Sequence, residues 1–322
     1  MSSLYIDRRG MEIEADGDAL VLRENGERVG TVPISPISRV FLRGDVRLQS
    51  SLLGKLGERG IGVVVLSGRK GEATLLMARP HNDAARRIAQ YRLSQDAGFC
   101  LDFSRNLVRE KLSVQHGFLE AWRERDLEHR YELTLVLRKL DGIMANLRDR
   151  DSVASLRGAE GAAAAAYFEG LAAIAPPRFK FCQRNRRPPR DPLNALLSLG
   201  YTLLHSEAVL ALYGAGFDPF VGFYHQIDFG RESLACDLVE ASRCEIDAFA
   251  LDMIRKDILR LDDFSTTESG CLLCKNGRAK FYENWEKLAE KLRRQLDGQV
   301  DALAARLAQS ATSQLQDGSG EF

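Results

Sequence analysis

No stretch of the 322 residues reaches the roughly eighteen consecutive apolar residues expected of a membrane-crossing helix. The amino terminus, Met1-Ser-Ser-Leu-Tyr-Ile-Asp-Arg-Arg9, has no charged leader ahead of an apolar core. The expectation is a cytoplasmic protein with no membrane partner. Net charge is also missing: 45 basic residues balance 45 acidic ones, so no global field draws a polyanion, and nucleic-acid binding would need a local patch. Cysteines are few and scattered, six in all, and only Cys271 and Cys274 stand close together. A structural zinc site usually shows two such pairs or a pair with nearby histidines, so the cysteines read as reduced thiols. Proline is scarce, with nine in the chain and none between Pro80 and Pro176, which leaves that interval free for long helices. What remains, 45% hydrophobic and 28% charged, is the composition of an ordinary globular protein long enough for two domains.

From residue 3 to about 78 the chain runs in short β-branched or aliphatic segments punctuated by Gly, Asp and Asn: Leu4–Asp7, Met11–Ala15, Ala19–Arg23, Arg28–Ile34 and Ser38–Leu42. Ser50–Arg59 interrupts them with helical spacing, and Ile61–Leu66 is a continuous apolar strand candidate. After Arg79-Pro-His-Asn82 the apolar period becomes helical, through Ile88, Leu107, Leu119 and Leu133 to Leu147. The expected fold class is therefore α+β: a small β-rich N-terminal domain over residues 1–82, a larger all-helical domain over 83–307, and a polar flexible tail over 308–322. Ile246–Leu261 reads as amphipathic, and Asn284–Leu307 as another long helix, rich in Lys, Arg and Glu.

Four stretches carry chemistry. The first is Gly216-Phe-Asp-Pro-Phe-Val-Gly-Phe-Tyr-His225, followed by Ser233-Leu-Ala-Cys-Asp237-Leu-Val-Glu240. If Leu234 onward is helical, Asp237 and Glu240 share one face. An imidazole with one or two carboxylates suits Mg²⁺ or Mn²⁺, although acidic pairs on solvated helices and core histidines are common. The second is Glu160, which opens the alanine run 162–166. Alanine lets a neighbouring helix approach closely and hold the acid, or the run is simply a helix with a dipole-favoured acid near its start. The third is Arg178-Phe-Lys-Phe-Cys-Gln-Arg184-Asn-Arg186-Arg187-Pro-Pro-Arg190, with six basic residues in thirteen and no acid. Arg178, Lys180, Arg184, Arg186, Arg187 and Arg190 form either a phosphate-gripping loop or a solvated basic one. The fourth is a buried helix from Asp191 as N-cap and Pro192 as first residue to a stop at Gly214 or Gly216, with His205 as a core histidine.

Taken in order, these motifs closely resemble the CRISPR adaptation integrase family, CRISPR-associated protein one. The resemblance spans essentially the whole chain and is strongest from Arg157 to Glu240. It implies that the helical domain is catalytic, that the β-rich domain serves dimerisation, and that the protein is a homodimer. It also implies assembly with CRISPR-associated protein two, and double-stranded DNA (prespacer and CRISPR repeat) as substrate. The activity implied is that of a metal-dependent endonuclease and integrase, inserting short foreign fragments by attack of a 3′-hydroxyl on a repeat phosphodiester. The family's metal ligands map onto Glu160, His225 and Glu240, and a further aspartate maps onto Asp237 as a fourth ligand or a group orienting His225. Many relatives carry Asp at the last position, so Glu240 lengthens that arm by one methylene. The alternatives are a generic metal-dependent nuclease on branched or single-stranded nucleic acid, and a non-catalytic assembly subunit.

Overall fold

The computed structural model describes residues 2–66, 73–77, 83–186, 188–268 and 270–317, with side chains to residue 310. The alternating segments of the N-terminal part become strands close to their expected bounds: β1 (Ser2–Asp7), β2 (Met11–Asp16), β3 (Ala19–Glu24), β4 (Glu27–Pro33) and β5 (Ile37–Arg43). A short β6 (Val46–Leu48), helix α1 (Ser50–Glu58), β7 (Gly62–Leu66) and β8 (Ala73–Leu76) follow. They form two four-stranded sheets, ordered β1-β5-β7-β8 and β4-β3-β2-β6. In the first, β1, β5 and β7 run parallel and β8 antiparallel.

Strand β7 is apolar throughout because both its faces are covered. Val63 packs with Ile13, Leu20, Leu52 and Leu56 in a core between the sheets, while Val64 and Leu66 join the core of the helical part. The period of two sends successive side chains to opposite layers. Gly62 of the same strand lies so close to α6 that a Cβ there would come within 2.9 Å of Leu210. The β-rich part is thus seated on the helices through one face of its first sheet.

The helical part comprises α2 (Ala84–Ser94), α3 (Ala97–Arg125), α4 (Arg130–Ala145), α5 (Val153–Ile174), α6 (Pro192–Gly214), α7 (Ser233–Val239), α8 (Arg243–Arg255) and α9 (Lys275–Asp317). It is not purely helical: β9 (Phe264–Thr267) and β10 (Gly270–Leu273) form an antiparallel hairpin before α9. The hairpin's Ser-Thr-Thr stretch favours extended backbone, and Cys271 N–H pairs with Pro189 O at 2.7 Å, tying the hairpin to the basic loop. Helix α9 continues through Asp317, so residues 308–317 of the expected tail are helical. Residues 318–322, and the boundary expected at residue 82, lie outside the described residues.

Among the described residues α6 alone is long and apolar enough to cross a membrane, yet 67% of its most apolar window is buried in the protein. It is a core helix packed against α7, α8 and α9. Its start is as expected: the Asp191 side chain accepts from Asn194 N–H at 2.9 Å with Pro192 in the first turn, and Gly216 beyond its end takes the left-handed φ of +84°. Buried Glu207 on α6 receives Arg39 of β5 at 3.1 Å and Arg293 of α9 at 2.9 Å, linking sheet, core helix and last helix through one carboxylate.

Candidate active site

The segment between α6 and α7 has no regular structure of its own and is held from outside. Gln90, fully buried on α2, donates to Asp218 O at 2.8 Å and Val221 O at 2.7 Å and accepts from Asp218 N–H at 3.0 Å. Gly222 lets the loop lie against the start of α7: a Cβ there would stand 2.8 Å from both Asp237 Oδ2 and Ser233 C. Asp237, fully buried, then gathers the loop's donors. Its Oδ2 accepts from Phe223 N–H at 2.8 Å and Tyr224 N–H at 3.0 Å, and its Oδ1 from His225 N–H at 2.9 Å. His225 Nδ1 lies 2.6 Å from Oδ1 as well. A carboxylate only accepts hydrogen bonds, so Nδ1 carries a hydrogen, and in the neutral imidazole Nε2 then presents its lone pair.

That Nε2 faces Glu240, 3.9 Å from its Oε1. Glu240 sits at the C-cap of α7 and is nearly buried; its Oε1 receives Arg243 at 3.1 Å and its Oε2 the Lys111 ammonium at 2.6 Å. The same ammonium donates to Glu160 Oε1. Glu160 reaches this point because α5 packs on α3 and α4 through its alanine face, where Ala159, Ala163 and Ala166 are buried. The close-approach reading of the alanine run therefore describes the structure. Burial works to raise the Glu240 pKa, but Arg243 and Lys111, with smaller help from His225, outweigh it and hold the carboxyl down at about 2. Burial likewise works against the Lys111 ammonium, and the Glu240 and Glu160 carboxylates more than compensate, raising its pKa.

Behind Glu240 lies a second buried network. Arg243 and Arg184 both lie over the Tyr201 ring, at 4.9 and 5.3 Å from its centroid. Tyr201 and Tyr167 donate to the two oxygens of Asp247, the latter at 2.8 Å. Burial pushes the Asp247 carboxyl up to about 6 in spite of those hydrogen bonds. Arg184, from the basic stretch, is thereby connected through an aromatic ring to the cation that fixes Glu240.

The four acidic and imidazole candidates from the sequence converge, but in different roles. Glu160 and Glu240 meet at the Lys111 ammonium and His225 Nε2 faces Glu240, whereas both oxygens of Asp237 are occupied by the His225 loop. His205 pairs with Glu232 at 3.3 Å; burial lowers its pKa, but Cys236 and Glu232 prevail and lift it to about 9. The basic stretch divides. Arg178 is bound by Asp257 at 2.6 Å, and Arg184 by Asn194 at 2.8 Å and Ser198 at 3.1 Å, while Phe179 and Phe181 are buried anchors. Lys180, Arg186 and Arg190 are exposed, and Arg187 lies outside the described residues. Sequence reasoning missed Lys111, Arg243, Gln90 and Arg157, which donates to Tyr224 O. Nothing in the neighbourhoods of Lys111, Gln90 and Arg157 marks them, because each acts on a partner far along the chain, whereas Arg243 stands three residues after Glu240, a spacing that was there to be read.

Among the described residues no group of three His, Cys, Asp or Glu has metal-holding spacing. The chemistry of the donors nonetheless fits a hard divalent ion. Two carboxylates share a cation, an imidazole lone pair faces one of them, and the Tyr224 hydroxyl is buried without a partner among the described residues. Burial and then the negative field of Glu160 and Glu240 push the Tyr224 phenol well up.

The family model for "CRISPR associated protein Cas1" matches residues 4–287. The chain is 39% identical over 310 residues, 95% of its length and 97% of the relative's, to a protein of Thermodesulfovibrio yellowstonii named "CRISPR-associated endonuclease Cas1 1". Among solved structures, one titled "Cas6-RT-Cas1--Cas2 complex" superposes with a TM-score of 0.82 at 24% identity, over 96% of this chain and 35% of that one. A "Casposase bound to integration product" superposes with a TM-score of 0.81 at 21% identity, over 95% of this chain and 91% of that one. At these identities the structural likenesses speak for the fold.

Proposed function

The chain belongs to the Cas1 family of CRISPR-associated proteins, and from that premise we propose that it is a DNA endonuclease and integrase of CRISPR adaptation. It inserts short foreign fragments into the array by attack of a 3′-hydroxyl on a repeat phosphodiester. The observation that supports this reading is that Glu160 on α5 and Glu240 at the end of α7 share the Lys111 ammonium while His225 Nε2 lies 3.9 Å from Glu240 Oε1.

Glu160, His225 and Glu240 would hold a divalent ion, Mg²⁺ or Mn²⁺, which when bound supplies charge neutralisation at the phosphate and a lowered pKa for the attacking hydroxyl. The protein's own part is to keep those groups competent. Asp237 fixes the His225 tautomer and ring, so that Nε2 stays an acceptor. Arg243 keeps Glu240 ionised and aimed, while the Tyr201 ring beneath it ties that arginine to the basic loop. Lys180, Arg186 and Arg190 grip the DNA backbone, contacts that position a duplex without reading its sequence. The β-rich part makes the homodimer contact, and the dimer assembles with Cas2; sedimentation of the protein alone and with that partner checks both. Strand transfer on a branched DNA with Mg²⁺ or Mn²⁺, comparing the wild type with His225→Ala, tests the chemistry. Cleavage without transfer would leave only a metal-dependent nuclease.

A further inference from the structure

Lys111 stands where both carboxylates meet. Its ammonium donates to Glu160 Oε1 and, at 2.6 Å, to Glu240 Oε2, and only about a tenth of its side chain is exposed. A divalent ion held by Glu160 and Glu240 would be repelled by an ammonium seated between the same two carboxylates, so the two would compete for that place. One turn further along α3, on the same face, lies Gln115, 4% exposed, whose Oε1 is buried with no partner among the described residues. A buried acceptor without a donor is costly, and the flexible four-carbon stem of a lysine at i−4 can reach it.

We propose that Lys111 is an intramolecular competitor for the divalent ion: its ammonium closes the gap between Glu160 and Glu240, and on metal binding it swings to Gln115 Oε1. This rests on Glu160, His225 and Glu240 being the ligands. The consequence is an apparent metal affinity reduced by the fraction of molecules in which the lysine is swung away. The lysine would hold two like-charged carboxylates together whenever the ion is gone, and would set the threshold concentration at which the site loads.

The test is Mn²⁺ binding to the full-length protein without DNA, by electron paramagnetic resonance of the free ion, with thermal unfolding measured on the same samples. Lys111→Met is expected to bind Mn²⁺ on the order of tenfold more tightly than the wild type. It should also unfold at lower temperature without metal and show a larger rise on adding Mn²⁺. Lys111→Gln, which keeps a hydrogen-bonding head without the charge, serves if Lys111→Met does not fold. Gln115→Leu removes the receiving oxygen and should weaken Mn²⁺ binding several-fold. Unchanged or weaker binding in both lysine variants overturns the proposal, since the lysine would then support the loaded site. Glu160→Gln separates this from failure of the underlying reading: if the wild type, the lysine variants and Glu160→Gln all bind alike or not at all, the ligand assignment itself is wrong.

Discussion

Replacing Asp237 by asparagine is nearly isosteric and yet should be severe. The native carboxylate accepts four hydrogen bonds, from Phe223, Tyr224 and His225 N–H and from His225 Nδ1, and the residue is fully buried. An amide has one acceptor oxygen and one donor nitrogen. If the oxygen serves Phe223 and Tyr224, the NH₂ faces His225 N–H, and the imidazole must move its proton to Nε2 to accept at Nδ1. If the oxygen serves His225, two backbone N–H groups face a donor instead. Either way at least one buried donor loses its partner, at about 1–3 kcal/mol, together with charge-assisted bonds of similar size. The first arrangement also turns Nε2 from a lone pair into an N–H, and disturbing a group that orients a ligand in this way typically costs about 10–100-fold in metal affinity or activity. Denaturant unfolding and strand-transfer rate on branched DNA, measured on the same preparations, read the two effects. A variant with wild-type stability and rate would refute the reasoning. One that lost stability but kept its rate would reduce Asp237 to a loop fastener.

Gly222→Ala should act on the same group from the other side, because its Cβ would stand 2.8 Å from Asp237 Oδ2 and Ser233 C; overpacking of this kind costs about 1–3 kcal/mol, and the transfer rate should fall with it. Neutralising Lys180, Arg186 and Arg190 together should flatten the plot of log affinity against log salt by roughly 2 to 3, at about 0.9 for each phosphate left without its cation, whereas Arg184→Ala should chiefly lower stability. An unchanged slope in the triple variant would return the loop to a solvated role. His205 gives a pH signature. Its folded pKa of about 9 lies above its ordinary 6.5, so its contribution to stability is fully present below 6.5 and is lost as pH rises through 9. His205→Gln should therefore show a shallower decline of unfolding free energy across that window, and parallel curves would contradict the assignment.

The strands were legible where alternation reports two faces. Strands β1 to β5 and the doubly buried β7 follow the sequence pattern within a residue or two, while β6, three residues paired to β2 across the intervening strands, has no local signature. The hairpin β9–β10 was equally hidden, since four-residue strands carry too few alternations to stand out from a helical surround. The candidate site divides along the same line. Glu160, His225, Asp237 and Glu240 announce themselves through short motifs and their order. Lys111 reads as one more charge on an amphipathic helix until Glu240, 129 residues away, is folded against it. Arg178 and Arg184 are indistinguishable in sequence from Lys180, Arg186 and Arg190, and what separates them is whether Asp257, Asn194 and Ser198 stand within reach.

The most direct test of the central claim is strand transfer by the purified protein on a branched DNA whose flap mimics a half-integrated end, with Mn²⁺ or Mg²⁺, for the wild type and His225→Ala. A transferred or resealed strand is expected that requires the ion and disappears in the variant while DNA binding largely persists. Undiminished product from His225→Ala would contradict it.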